Sequence, residues 1–230
     1  MYALIIAGGE GERLRPLTSD RPKPMIEVAG RPILEHQAGW LRQGGVTDVV
    51  FLCGYKANVV QKHFGDGSRF GVRAQYSLED QPLGRGGAMR RGFGLVPPDE
   101  QVIIGCNGDI LTDQPIDELV AYHRAKGAVA TVMLAPLRSP FGIVSVEDDG
   151  RISAFQEKPV LPYWINAGIY ALDRAFFARL PEKGDHEATT FPELAAEGKL
   201  FGFKSSAYWR PVDSIKDLTE AEKELAASGR

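Results

Sequence analysis

The chain contains 230 residues, of which 43% are hydrophobic and 25% charged, and these fractions are close to those of ordinary globular proteins. Extensive disorder is therefore excluded, and the length suits one large domain. The 27 Lys and Arg against 30 Asp and Glu give a net charge of −3 without a basic block, which argues against a surface for nucleic acid or anionic lipid but leaves a small anionic ligand open.

Apolar runs of strand length alternate with segments of helical period over the first 135 residues. Strands are predicted at residues 3–7, 46–53, 72–76, 101–105 and 128–134. Helices are predicted at 32–43, 58–64, 87–93 and 115–126, the last with Asp113 as its cap. Because parallel strands need crossover helices, this alternation predicts an α/β fold with a doubly wound, Rossmann-like, mostly parallel sheet that is covered on both faces.

The pattern changes beyond residue 141. Closely spaced strands at 142–146, 151–156 and 164–172, with the turn Asp148-Asp149-Gly150 between the first two, predict a small antiparallel insertion. Helices at 173–179, 190–197 and 214–227 and a strand at 201–203 complete the chain. Since neither a linker nor an internal repeat is visible, we expect residues 1–230 to form one continuous domain.

The sequence was searched for segments that would direct the protein to a membrane or out of the cell. No run approaches the ~18 apolar residues of a membrane-spanning helix, and the N-terminus lacks the basic region of a signal peptide, so we expect a cytoplasmic protein without a membrane partner.

Cys53 and Cys106 both end apolar runs, and we expect them to be small buried side chains rather than metal ligands.

A glycine-rich loop, Gly8-Gly9-Glu10-Gly11-Glu12-Arg13-Leu14-Arg15-Pro16, directly follows the first strand. Gly9 and Gly11 match the dinucleotide-binding fingerprint, but Leu14 stands at its third glycine, and the Gly-Lys-Ser/Thr ending of a Walker loop is absent. The loop can still bring backbone N–H groups to an anion, with Arg13 and Lys23 close behind it. This pattern favours a polyphosphate site over a surface loop with solvated charges, although Arg15 is better explained as a solvated charge.

Further motifs follow in order along nearly the whole chain. They are Pro22-Lys23-Pro24, Pro82-Leu83-Gly84-Arg85-Gly86-Gly87-Ala88, Asn107-Gly108-Asp109, Phe141-Gly142, Phe155-Gln156-Glu157-Lys158-Pro159, Asn166-Ala167-Gly168 and Trp209-Arg210-Pro211-Val212-Asp213. In these motifs the chain resembles the sugar-1-phosphate nucleotidylyltransferases, or NDP-sugar pyrophosphorylases, and most of all the mannose-1-phosphate and heptose-1-phosphate guanylyltransferases. It departs from the family pattern at Glu12, where Ser or Thr is usual, and at Arg85, where a small Thr is usual.

The resemblance implies the fold of the nucleotide-diphospho-sugar transferases and the reaction of an NTP with a sugar 1-phosphate to give an NDP-sugar and pyrophosphate, with Mg²⁺ as cofactor. It also implies a nucleotide-binding part at about 1–135 and a sugar-binding part at about 136–230, with no room for the C-terminal β-helix of longer relatives. The chemistry agrees, because the attacking phosphate is already largely a dianion at neutral pH and the obstacle is repulsion between phosphates, which positioned cations relieve. Homo-oligomerisation stays open.

The resemblance also implies roles for individual residues. The catalytic cations are Arg13 and Lys23, and the Mg²⁺ ligands are Asp109 and Asp213, although Asp213 could instead be the N-cap of the last helix. The nucleotide-binding residues are Gly8, Gly9, Gly11, Glu79 and Gly84. The residues that bind the sugar phosphate are Gly142, Glu157, Lys158, Asn166 and Gly168, and Glu157 and Lys158 can both reach ligand only if the strand ends there.

The choice of base depends on Glu79, which stands five residues before Gly84. A carboxylate offers two acceptors to the N1–H and N2–H₂ donors of guanine, so we expect GTP to be favoured. The alternatives are a solvated Glu79, with Gln75 and Gln81 reading a pyrimidine base, and hence thymidylyl, uridylyl or cytidylyl transfer to glucose 1-phosphate or a related sugar phosphate. Cytidylyl transfer to phosphocholine and a catalytically silent regulatory domain are further alternatives; the retained Arg13, Lys23 and Asp109 argue against the last.

Overall fold

The computed structural model describes residues 1–228. The strands of this part of the chain are β1 (Tyr2–Ile6), β2 (Glu27–Val28), β3 (Arg31–Pro32), β4 (Asp48–Cys53), β5 (Arg73–Leu78), β6 (Val102–Asn107), β7 (Ile110–Thr112), β8 (Ala130–Arg138), β9 (Ile143–Val146), β10 (Ile152–Gln156), β11 (Val160–Asp173), β12 (Leu200–Lys204) and β13 (Trp209–Pro211). The α-helices are α1 (Ile33–Gln43), α2 (Ala57–Phe64), α3 (Gly84–Phe93), α4 (Ile116–Lys126), α5 (Arg174–Phe177), α6 (Thr190–Ala196) and α7 (Ile215–Ser228).

The central sheet has seven strands in the order β12-β8-β11-β6-β1-β4-β5. All neighbouring pairs are parallel except those of β11, which runs antiparallel to both β6 and β8. Helices cover both faces: α1, α2 and α4 contribute to one buried apolar cluster, and α3, α5 and α6 contribute to the other. The predicted doubly wound, mostly parallel fold is therefore confirmed.

The register of the parallel strands defines one edge of the sheet. Ile6 of β1 pairs with Leu52 of β4 and with Asn107 of β6, and Leu78 of β5 pairs with Cys53 of β4. The carboxyl ends of four strands therefore lie side by side, and the loops that follow them meet there, as is usual for binding sites of open α/β sheets.

Three details differ from the sequence-based expectation. The third strand of the predicted antiparallel insertion, observed as β11, belongs to the central sheet, whereas β9 and β10 form a separate hairpin. Asp113 does not cap α4; its Oδ1 accepts the backbone N–H of Tyr208 at 2.8 Å instead. The short pairs β2–β3 and β7–β13 have too few residues to show a period and were not predicted.

The predicted burial of the two cysteines is confirmed. Cys53 and Cys106 are buried free thiols, and burial raises the pKa of both, that of Cys53 to about 12, so neither behaves as a reactive thiolate. Among residues 1–228, no helix combines the length and the apolar composition that crossing a bilayer requires.

Candidate active site

The glycine-rich loop turns away from the end of β1 and passes beside Lys23. Gly11 has a left-handed backbone conformation with φ of 66°, and a Cβ at this position would lie 2.6 Å from the Cβ of Lys23. A Cβ at Gly8 would lie 3.0 Å from the backbone nitrogen of Gly54, which follows β4. A Cβ at Gly9, by contrast, would meet no atom within 4 Å, so the backbone there is open to a ligand. Two of the three glycines therefore shape the loop, and the third leaves it accessible.

Four charged side chains meet at this edge of the sheet. Lys23 donates to Asp109 Oδ2 and to Asp213 Oδ1, with Nζ 2.5 Å from each oxygen. Arg13 donates to the same Asp213 oxygen at 2.8 Å. The Lys23 side chain is only 12% exposed, whereas that of Arg13 is 76% exposed. Residues predicted from motifs up to 200 positions apart therefore form one cluster, with a lysine at its centre and an accessible arginine at its rim.

Strand pairing brings Asp213 to this cluster. β13 pairs antiparallel with β7, which follows Asp109 directly, and the N–H of Val212 donates to the carbonyl of Asp109 at 2.9 Å. Asp213 is not the N-cap of α7, because Ser214 Oγ accepts the N–H of Asp217 at 3.2 Å and donates to the Asp217 carboxylate, so the capping side chain is that of Ser214. The Asp213 side chain is thus free to face the two cations.

The two carboxylates suit a hard divalent cation. Since both oxygens lie 2.5 Å from the same Nζ, they are no further from each other than twice that distance. Mg²⁺ is commonly held by one or two carboxylates and completes its shell with water and phosphate oxygens. Within residues 1–228 no cluster of three or more His, Cys, Asp or Glu side chains forms a self-sufficient metal site. The chemistry of the pair therefore fits Mg²⁺ that also binds a phosphorylated substrate.

Glu79 follows β5 at the same edge. Its Oε2 accepts the N–H of Leu83 at 3.0 Å, and its own N–H donates to the carbonyl of Cys53 at 2.9 Å. One carboxylate oxygen therefore closes the loop that leads to α3, while Oε1 keeps its acceptor capacity. Gly84 begins α3 with φ of 76°, and a Cβ there would lie 2.5 Å from the carbonyl oxygen of Gly184. The need for glycine at position 84 thus comes from chain packing.

On the predicted sugar side, β10 ends at Gln156 and β11 begins at Val160, so Glu157 and Lys158 lie between strands, which is the condition for the prediction that both reach ligand. Both side chains are exposed; Lys158 Nζ lies 3.8 Å from Glu157 Oε1, and neither contacts the cluster of Lys23. A Cβ at Gly142 would lie 2.7 Å from the Phe155 ring and 3.1 Å from Glu157 Oε2. Gly142 therefore lets the Glu157 segment pack closely.

The turn at Asn166 and Gly168 lies between the predicted sugar side and the segments that carry Asp109 and Asp213. Asn166 Oδ1 accepts the N–H of Gly168 at 2.8 Å, and Gly168, with φ of 70°, leaves no room for a Cβ beside the Asn107 side chain. Trp209, on the strand before Asp213, donates from Nε1 to the carbonyl of Ala167 at 2.8 Å. The turn is thus fixed against both segments that carry the aspartates.

One further group at this edge was not predicted; it consists of Arg85, Asp185, Glu187 and Tyr170. Arg85 contacts both acidic side chains, and Glu187 Oε1 accepts from Asn166 Nδ2 at 2.9 Å and from the Tyr170 hydroxyl at 3.0 Å. The unusual Arg85 was the one available signal, because a charge in place of a small residue requires a partner. Arg15, by contrast, lies outside the cluster and pairs with Glu10 at 3.3 Å.

Comparisons with known proteins agree with this geometry. A family model described as nucleotidyl transferase matches residues 2–228. The mannose-1-phosphate guanylyltransferase of Mycobacterium tuberculosis is 35% identical over 231 residues, which cover 97% of this chain and 64% of the relative. The mannose-1-phosphate guanyltransferase of Gibberella zeae is 32% identical over 95% of this chain and 62% of its own length. The chain thus spans less than two thirds of the curated relatives it matches.

Solved structures share the fold. A putative glucose-1-phosphate thymidylyltransferase from Bacillus anthracis, in complex with a sucrose, superposes with a TM-score of 0.78 at 24% identity and covers 97% of this chain and 94% of its own. HddC from Yersinia pseudotuberculosis, complexed with GMP-PN, superposes with a TM-score of 0.76 at 21% identity and covers 97% of this chain and 99% of its own.

Proposed function

Because the chain belongs to the nucleotidyl transferase family, we propose that it transfers a nucleotidyl group from an NTP, with GTP favoured, to a sugar 1-phosphate of the mannose or heptose type and releases pyrophosphate. The observation that carries the proposal is the meeting of Arg13, Lys23, Asp109 and Asp213 beside the glycine-rich loop. This arrangement supplies cations and metal-binding carboxylates without a nucleophilic Ser or Cys, as phosphate attack on phosphate requires. We further propose that residues 1–230 form one domain.

In the proposed reaction an oxygen of the sugar phosphate attacks the α-phosphorus of the NTP, and the bond from that phosphorus to the β-phosphate oxygen breaks. No general base is needed, since the attacking phosphate is largely a dianion at neutral pH. Arg13 and Lys23 neutralise the α-phosphate and the departing pyrophosphate. Lys23 is shared between two carboxylates, so it can exchange one of them for a phosphate oxygen while it keeps a charged partner.

Asp109 and Asp213 are the residues that would hold Mg²⁺. When bound, the ion supplies neutralisation of triphosphate charge and fixes the relative orientation of the phosphates. The carboxylates themselves keep the Lys23 ammonium in place between them. The Asp213 carboxylate also keeps Arg13 at the rim, where its exposed guanidinium is available to a phosphate.

Glu157 and Lys158 are proposed to hold the sugar phosphate, the first through hydroxyls and the second through the phosphate. Glu79 is proposed to select guanine with the acceptor capacity of its carboxylate, and Gly8, Gly9 and Gly11 to admit the triphosphate to the backbone. The preference for GTP and for a mannose-type sugar is supported by the names of the curated relatives and by Glu79.

The test is a pyrophosphate-release assay with Mg²⁺ in which each NTP is combined with mannose, heptose or glucose 1-phosphate and with phosphocholine. We expect release to be highest with GTP and a mannose-type or heptose-type phosphate. A clear preference for dTTP, UTP or CTP would contradict the assignment of guanine as the base. Release with phosphocholine alone would contradict the assignment of a sugar 1-phosphate as the second substrate. Release with no pair returns the protein to a binding role. Glu79→Gln should reduce the preference for GTP, with Glu27→Gln, at an exposed position in β2, as control.

A further inference from the structure

Arg85 lies at the start of α3, directly after the loop that Glu79 closes. Its Nε donates to Asp185 Oδ2 at 2.8 Å, its Nη2 contacts the same oxygen, and Nη2 lies 2.9 Å from Glu187 Oε2. A single guanidinium therefore serves two carboxylates from a segment 100 residues further along the chain.

That segment is packed tightly against the start of α3. The carbonyl of Gly184 accepts the N–H of Gly86 at 2.9 Å, and the N–H of Gly184 donates to the carbonyl of Leu83 at 2.7 Å. A Cβ at Gly87 would lie 2.5 Å from the carbonyl oxygen of Glu182. Because these contacts are made by the backbone, Asp185 and Glu187 have fixed positions relative to the nucleotide-side loop.

Glu187 in turn holds the turn on the sugar side. Its Oε1 accepts from Asn166 Nδ2 and from the Tyr170 hydroxyl, and Asn166 Nδ2 also lies 3.1 Å from that hydroxyl. Since Asn166 Oδ1 accepts from Gly168, both ends of the amide are engaged within the protein. Asn166 is therefore occupied in forming the turn, and the acceptor that remains partly exposed beside it is the Glu187 carboxylate.

The charges of this group need balance if an anion is to bind nearby. Asp185 and Glu187 alone would place two negative charges beside the subsite of a phosphorylated sugar and would repel it. Arg85 reduces that repulsion, and its hydrogen bonds outweigh burial and leave the pKa of Asp185 below its ordinary value. Burial and the Glu187 carboxylate raise the pKa of Tyr170, so its hydroxyl stays a donor to Glu187.

We propose that Glu187 is a specificity-determining residue of the sugar subsite, where its carboxylate accepts a ring hydroxyl of the sugar 1-phosphate, and that Arg85 is the positioning residue that orients Glu187 and offsets its charge. The inference rests on the proposed function and adds Glu187 to the residues proposed to bind the sugar 1-phosphate. It also gives a reason for the charged residue at position 85.

The first experiment measures KM for the sugar 1-phosphate, KM for the NTP and kcat in Glu187→Gln. Gln keeps an acceptor for Asn166 and Tyr170 but loses the charge, so we expect KM for the sugar phosphate to rise about tenfold, as for loss of a charged hydrogen bond, with KM for the NTP within about twofold. A series of sugar 1-phosphates that each lack one ring hydroxyl identifies the contact. The wild type should discriminate against one member, and the variant should lose most of that discrimination.

The second experiment tests Arg85. Arg85→Thr should raise KM for the sugar phosphate as Glu187→Gln does, and Arg85→Lys should bring KM part of the way back to the wild-type value. The double variant Arg85→Thr/Glu187→Gln should have a KM for the sugar phosphate no higher than that of Glu187→Gln alone. Arg179→Thr and Glu197→Gln are matched controls, because that ion pair is similarly exposed, has N and O 2.6 Å apart and lies outside the site. Melting temperatures of all variants separate a loss of fold from a loss of sugar binding.

The outcomes distinguish this inference from the proposed function. If the wild type turns over sugar phosphates but Glu187→Gln and Arg85→Thr keep its KM and its ranking of the deoxy analogues, the inference is wrong and the proposed function stands. If none of the sugar phosphates tested leads the wild type to release pyrophosphate, the proposed function is wrong and so is this inference. A tenfold effect confined to the sugar phosphate supports both.

Discussion

Replacing Lys23 by Met removes the ammonium that two carboxylates share and keeps a side chain of similar length. Asp109 and Asp213 then face each other without their common partner. Because the Lys23 side chain is only 12% exposed, little water can take the place of its ammonium group. Loss of one partner of a fully buried ion pair costs about 3–5 kcal/mol. Because the two carboxylates are 27% and 36% exposed, water compensates in part, and we expect about 2 kcal/mol.

For a chain of this length that loss corresponds to a fall of about 4–8 °C in the melting temperature. Mg²⁺ should reverse most of it, because the ion replaces the missing positive charge between the aspartates. In the wild type Mg²⁺ must compete with Lys23 for the same oxygens, so its stabilising effect should be smaller. Turnover should fall by a factor of about 10²–10³, as for removal of one charge-stabilising donor from an active site.

The assay is thermal denaturation of both proteins with and without saturating Mg²⁺, together with kcat from pyrophosphate release. Lys199→Met is the control, since Lys199 also contacts a carboxylate, Glu197, at 2.9 Å but lies outside the site. Equal Mg²⁺-induced shifts in wild type and Lys23→Met would refute the shared-cation geometry. Near-normal kcat in the variant would refute the catalytic role of Lys23.

Three further predictions concern stability and metal dependence. Burial lowers the pKa of His186 from 6.5 to about 4, so the unfolded chain binds more protons between these values. The free energy of unfolding should therefore fall by up to about 3 kcal/mol as the pH drops from 6.5 to 4, and His186→Leu should remove that part of the pH dependence in urea titrations. Asp213→Asn should raise the Mg²⁺ concentration needed for half-maximal activity, whereas Ser214→Ala should leave it unchanged and cost about 1 kcal/mol of stability through the lost cap; the reverse pattern would make Asp213 the cap. Gly84→Ala should cost at least about 1 kcal/mol more in unfolding free energy than Gly30→Ala, because both positions have φ of 76° but only Gly84 faces a carbonyl oxygen at 2.5 Å; equal losses would show that the backbone conformation alone matters.

The alternation of apolar runs was sufficient to predict the sheet and the helices on both faces, because each strand and helix carries its own period. Arg13 and Lys23 could be proposed as catalytic cations from the sequence because both stand in or close behind one local motif, the glycine-rich loop. Asp213 was ambiguous, since a helix follows it directly and only the pairing of β13 with β7 shows which way its side chain faces. Pairing of three-residue strands has no periodic signal.

The role of glycine in several motifs could not be inferred from sequence. Gly84 was predicted to bind the nucleotide and Gly142 the sugar phosphate, but the atoms nearest to their missing side chains are the Gly184 carbonyl and the Phe155 ring. Arg85 likewise could be recognised as unusual, yet its partners Asp185 and Glu187 are brought to it by the tertiary fold. The contacts of Gly84 and Arg85 come from a segment about 100 residues further along the chain, and that of Gly142 comes from the nearby strand β10.

The position of β11 has a consequence for synthesis on the ribosome. β11 lies between β6 and β8, so a growing chain that ends before residue 160 has no strand to bridge them. Two strand edges with unpaired backbone groups stay exposed until the last third of the chain emerges, and such edges readily pair with other chains. The nascent protein should therefore depend on the speed of elongation and on chaperones more than its small size suggests.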